Sequence, residues 1–224
     1  MSGWPDHFST WWTALVRPER AADIVLERGR GVPFTRFLIL AVAILYAIYG
    51  LSMGLYRGPS SCLFSALKLP VLYLATFTVC FPLFYVLNCL YEQRLPVGQC
   101  ARLLLIATSA NALALASFAP IGLFFSLTTS RAGYTFIVLL HVAVFAVAAL
   151  LSVIEIGVVF RATAASLGRR LRPTLVITWA ALYAFVLSQM SWVLRPWIGA
   201  WTLEYAPFRP IGGSFIETIL DLLL

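Results

Sequence analysis

Charged side chains are what this sequence has least of: nine Asp and Glu with sixteen Lys and Arg in 224 residues, 11% of the chain, against 61% apolar residues. A soluble globular domain needs far more polar surface. The composition and a mean hydropathy of +0.90 therefore exclude one and imply a polytopic membrane protein. Short segments of alternating polarity are missing as well, which excludes an outer-membrane barrel. The apolar runs are long and continuous, as expected of helices that satisfy their own backbone hydrogen bonds in lipid. At this length there is room for one membrane domain and no separate soluble one.

Cysteine and histidine are few. Cys62, Cys80, Cys89 and Cys100 form no C-x-x-C pair, and two of them fall inside one apolar run, so they read as packing residues. Two histidines, far apart in sequence, argue against a His-rich metal site. There is no H-E-x-x-H, G-x-S-x-G, Walker loop or G-x-G-x-x-G, and the serines in apolar runs lack a base partner. The expectation is a protein without enzymatic activity, cofactor or metal. The net charge of +7 is carried by arginines set singly or in small groups beside apolar runs, not on one basic face. That pattern points to membrane topology and anionic lipid rather than nucleic acid. The opening "MSGWPDHFSTWWTALVRPER" has no basic and apolar regions of a signal peptide, so the first span is expected to insert uncleaved.

What is present reads as an all-α polytopic transmembrane bundle with five spans, roughly 34–56, 70–91, 98–120 with an extension to about 128, 134–160 and 173–194. Residues 1–32 form a cytoplasmic interfacial segment, 33–199 the membrane domain and 200–224 an outer interfacial platform. In the first segment Ser9 caps a helix carrying Trp11, Trp12, Leu15 and Val16. Pro18 opens a second, which ends at Gly29 and sets Glu19, Asp23 and Glu27 opposite Ile24 and Val25. "GPSSCLFSALKLP" (58–70) reads as a separate amphipathic helix stopped by Pro70, and "GGSFIETILDLLL" (212–224) as one opened by a Ser214–Glu217 capping box. Pro82 and Pro120 are expected to kink their helices, the third span bending or ending at Pro120. Eleven basic residues lie on the side of the N-terminus and five opposite, which predicts N-terminus cytoplasmic and C-terminus outside.

A charged side chain at a span centre costs roughly 2.5–3.5 kcal/mol on insertion scales, so polar residues there need a reason. Glu155, about five residues from the cytoplasmic end of its span, snorkels or neutralises Arg161, serves an ion or proton, or pairs with another helix. His141, fourteen residues earlier, lies near the same face but about 21 Å away along the axis, so the two share no proton directly. Asn111 in "ATSANALALAS" sits at the midplane among small residues, where an amide bridges helices or lines a path. Gln189 falls in the outer half of the last span. Beyond it Trp192 and Trp197 reach the aromatic belt, Arg195 marks the exit, and Trp201 and Arg209 continue a rigid segment suited to a partner or lipid.

The five-span layout and the "RPERAADIV" helix before the first span resemble the Yip domain family of membrane proteins. "SALKLP" (65–70), "CFPLFYVLN" (80–88), "FAP" (118–120) and "QMSWVLRP" (189–196) resemble more closely a group of small bacterial membrane proteins, some labelled "actin-binding WH2 domain". The first likeness implies trafficking through partner binding without enzymatic activity; the second implies a bacterial cytoplasmic membrane. Together with the residues, these lead to the expectation of an assembly subunit that contacts other membrane subunits or copies of itself. The alternatives are a small oligomeric channel or permease lined by Asn111, His141, Glu155 and Gln189, and a lipid-binding or lipid-modifying protein whose interfacial helices present a headgroup site near Arg195 and Arg209; Trp11 and Trp12 are candidate contacts for a partner or lipid.

Overall fold

Proline and glycine set most of the boundaries. The structure, a computed structural model, describes residues 4–27, 31–93, 95–130, 133–170 and 172–194, and among them all regular structure is helical. Helix α1 spans Trp4–Val16 and α2 Pro18–Leu26, with Pro18 in its first turn. Helix α3, Gly31–Gly54, runs into a 3-10 turn, Leu55–Arg57. Gly58, at φ 120°, makes a reversal that a side chain would strain. Pro59 then opens α4, Pro59–Leu90. Helix α5, Val97–Thr128, has Pro96 as its N-cap, α6 covers Tyr134–Ser166, and α7, Pro173–Leu194, again starts on proline. Gly168, at φ 67°, stops α6: its N–H reaches the Ala165 carbonyl at 2.9 Å and the Arg169 N–H reaches Ala164 at 2.8 Å, a Schellman closure.

Among the described residues, five stretches are long and apolar enough to cross a membrane: Val32–Arg57, Pro59–Leu90, Val97–Thr128, Tyr134–Ser166 and Pro173–Ser191. The architecture is thus the expected all-α bundle of five spans, that of an integral membrane protein. Helix α5 is its axis. Every residue from Arg102 to Ser109 is buried, because α3 packs along one side of α5 and α6 along another, while α4 lies on α3 and α7 on α4. At about 1.5 Å per residue, α4, α5 and α6 are about 48 Å long, more than the ~30 Å hydrocarbon core.

The structure departs from the sequence expectations at several boundaries. Ser9 is no cap: α1 begins five residues earlier, at Trp4, and the Ser9 hydroxyl donates back to the Asp6 carbonyl at 3.0 Å. Residues 58–70 are not a separate helix but the first turns of α4, which continues through Pro70 and Pro82. Likewise α5 passes Pro120 and ends at Thr128. Helix α2 closes at Leu26, before Gly29, and α6 extends to Ser166. The boundary between residues 32 and 33 falls inside the first turn of α3. The expected platform at 200–224, with Arg195, Trp197, Trp201 and Arg209, lies outside the described residues.

Close helix approach explains the continuous α4. A Cβ on Gly50 would sit 2.5 Å from the Ser65 carbonyl oxygen, and one on Gly54 would sit 2.5 Å from the Cα of Cys62. The two glycines form a G-x-x-x-G face that lets the end of α3 press on the first turns of α4, backbone to backbone. The 58–70 segment is held against α3 and is not left to lie on the membrane.

The N-terminal helices dock by a different device. The buried Arg102 of α5 donates through Nη1 to the Ile24 carbonyl at 3.0 Å and to that of Glu27, and Gln99 Nε2 reaches the Leu26 carbonyl at 3.2 Å. These groups cap the C-terminal end of α2, where carbonyls lack intrahelical partners and the dipole favours a cation. Ala21 and Val25 then join a core that includes Phe34, Phe84, Phe160 and Trp179.

Candidate functional site

The candidate polar residues are scattered through the bundle. His141 is 1% exposed and lies in the α3–α5–α6 contact, its Nδ1 2.7 Å from the Tyr49 hydroxyl. Ser52 and Gly122 pack beside it: a Cβ on Gly122 would come within 3.2 Å of the imidazole Cε1 and 3.3 Å of Ser52 Oγ. His141 Nε2 is buried without a partner among the described residues. Glu155 Oε1 is also buried, without a hydrogen-bond partner among the described residues. Neutralisation of Arg161 does not occur: six residues along a helix is a turn of about 240°, and Arg161 is exposed. Gln189 is exposed on α7.

Trp11 and Trp12 separate. Trp12 is 52% exposed, whereas Trp11 is 5% exposed, and its indole N–H donates to Ser109 Oγ on α5 at 2.8 Å. The residue expected on a contact surface is therefore an internal wedge that fixes α1 to the bundle. On the adjoining face of α1, Trp4, Phe8, Trp12 and Val16 form an exposed apolar stripe.

Of the candidate path residues, Asn111 lines a cleft that His141, Glu155 and Gln189 do not line. Asn111 Oδ1 accepts the Tyr46 hydroxyl at 2.9 Å, joining α5 to α3, and the same hydroxyl lies 3.4 Å from the Thr108 carbonyl. The pair sits in the floor of this half-open cleft of about 270 Å³. Helices α6 and α7 make little contact with each other, and the cleft lies between them. Ala146 and Ala149 of α6 face Ala180 and Ala184 of α7 across it, with Tyr46, Tyr73 and Asn111 from the other helices behind. Small residues at the rim leave the gap, and aromatic rings wall it. Tyr46 and Tyr73 stack at 4.0 Å and 11°, and Trp179 and Tyr183 lie 4.9 Å apart, tilted by 35°.

The lining contains no Asp, Glu, Lys, Arg or His among the described residues. Its hydroxyls are mostly turned inward: Thr108 donates to the Leu104 carbonyl at 2.8 Å, Ser152 to Ala107 at 3.3 Å and Ser188 to Phe185 at 2.7 Å. Trp179 is 7% exposed, and its Nε1 is buried without a hydrogen-bond partner among the described residues. A buried donor left unpaired costs about 1–3 kcal/mol, so this cleft wall is imperfectly satisfied by the described residues.

Sequence reasoning singled out Asn111 and passed over Tyr46, Tyr73, Trp179 and Tyr183. A tyrosine in an apolar run reads equally well as lipid-facing or as cleft-lining, and only packing separates the two. The Gly50–Gly54 contact did leave a signal, the spacing "GLSMG". No group of three or more His, Cys, Asp or Glu suited to a metal occurs among the described residues. Compared with protein-family models, curated proteins and solved structures, the chain matches none.

Proposed function

We propose that this protein is a lipid-binding integral membrane protein that holds an apolar, membrane-dissolved molecule in the cleft between α6 and α7. The observation that carries this reading is the cleft itself: concave, apolar, aromatic-walled and bearing a few polar groups in its floor, which is the usual make-up of a small-molecule site. At about 270 Å³ it suits a ring or a segment of chain, not a whole phospholipid. A hydrated path is less well supported, because Asn111 lines the cleft while His141, Glu155 and Gln189 do not. The proposal sets the protein in a bacterial cytoplasmic membrane with the N-terminus inside, following the arginine-rich side of the bundle.

The test is native mass spectrometry of the full chain released from mild detergent, beside an Ala149→Trp variant that fills the cleft from its exposed rim. The wild type should retain a bound small lipid that the variant loses, with equal helicity and thermal stability. Equal retention by both proteins would remove the cleft as the site. The assembly-subunit reading has its own signature: a cysteine at Ala146 that cross-links efficiently to a second copy would put a neighbouring chain in the cleft instead of lipid.

A further inference from the structure

We infer that the cleft ligand is an uncharged lipid held by an oxygen acceptor, a carbonyl flanked by an apolar body; this rests on the lipid-binding reading above. Two observations set its chemistry. The first is the lack of any charged or histidine side chain in the described lining. A phosphate or carboxylate at this depth would have no counter-ion, and an unpaired anion is the costliest group to bury there.

The second is the balance of donors. The Tyr46 hydroxyl is committed to Asn111 Oδ1, and Thr108, Ser152 and Ser188 donate to backbone carbonyls. Three donors remain within reach of a ligand: the hydroxyls of Tyr73 and Tyr183 and the Asn111 amide nitrogen; the Trp179 indole N–H is enclosed in the wall behind them. None of them has a partner among the described residues. These residues come from three helices, α4, α5 and α7, and all line the one cleft. Donors in an apolar site select a ligand that brings acceptors, since any other leaves them unmatched. The stacked Tyr46–Tyr73 pair offers a flat wall for the body of the ligand.

Ring carbonyls of a quinone and ester carbonyls of a neutral glyceride share this chemistry. Binding of four probes to the delipidated full chain separates them: a short-tailed benzoquinone, a diacylglycerol, phosphatidylglycerol and the saturated hydrocarbon squalane. At least one carbonyl probe should bind about tenfold tighter than squalane, the worth of one or two neutral hydrogen bonds. Tyr73→Phe combined with Tyr183→Phe, which keeps both rings, should remove that advantage and leave squalane binding unchanged. Preference for the quinone would identify a ring ligand, and preference for the diacylglycerol an ester; either supports the inference. Squalane binding as tightly as both carbonyl probes, or phosphatidylglycerol binding more tightly than either, would overturn it while leaving the cleft a lipid site. Absence of all binding, together with no effect of Ala149→Trp on retained lipid, would overturn the lipid-binding reading itself.

Discussion

Single side chains fasten the N-terminal helices to the membrane bundle. Trp11 contributes one neutral hydrogen bond to Ser109, and Ser109 keeps a second, to the Ile106 carbonyl at 2.6 Å. Trp11→Phe should therefore be mild, lowering stability by about 0.5–1.5 kcal/mol in denaturant unfolding. Arg102 does more, because one guanidinium serves the carbonyls of both Ile24 and Glu27. Arg102→Leu should cost about 1–3 kcal/mol and raise amide exchange across residues 19–26 while leaving the centre of α5 protected. Exchange that stays unchanged in α2 would show that apolar packing of Ala21 and Val25 alone holds it. Trp11 stands in the sequence beside a second tryptophan, Trp12. Nothing local marks which member turns inward, since that depends on what the other helices present.

Helix contacts are decided by a few backbone positions. Gly54→Ala would set a methyl group 2.5 Å from the Cα of Cys62, where backbone cannot yield as a flexible side chain does. We expect a loss of about 1–3 kcal/mol from overpacking, read as a lower melting temperature. Gly157→Ala is the contrast, since a Cβ there meets nothing within 4 Å. It should stabilise α6 by about 0.5–1 kcal/mol through helix propensity, and a large loss would mean that another molecule occupies that space. Glu92, at φ 59°, closes α4 in a conformation that suits glycine: its N–H bonds to Cys89 at 3.0 Å and the Gln93 N–H to Asn88 at 2.9 Å. Glu92→Gly should raise stability by up to about 1 kcal/mol. At this scale the sequence was partly legible. Proline at a helix start was correctly informative at Pro18. Proline inside a helix misled at Pro70, where packing against α3 holds the helix together although one backbone hydrogen bond is missing.

For the whole molecule, the lengths of the helices relative to the bilayer and the gap between α6 and α7 are properties of the assembly. Lys68 in α4, Arg102 in α5 and Arg161 in α6 mark where each long helix is expected to leave the hydrocarbon. Hydrogen exchange in nanodiscs should accordingly be faster at 60–66 than at 72–88. Uniform protection along α4 would mean that the whole helix lies in lipid at a steep tilt. The class of the protein was determined by the sequence alone, because hydropathy adds along the chain and a run of about twenty apolar residues has one stable form in lipid, a helix that pairs its own backbone. The inward faces were not determined that way. Helices α3, α6 and α7 are mostly apolar with their few polar residues scattered around them, so no amphipathic stripe says which residues meet protein and which meet lipid. Tertiary packing made that choice: it buried Trp11 and exposed Trp12, and it drew Tyr46, Tyr73, Asn111 and Tyr183, far apart in the chain, around one cleft. The physical reason is that side-chain neighbourhood across helices depends on how closely the backbones approach and at what rotation, which no single helix encodes.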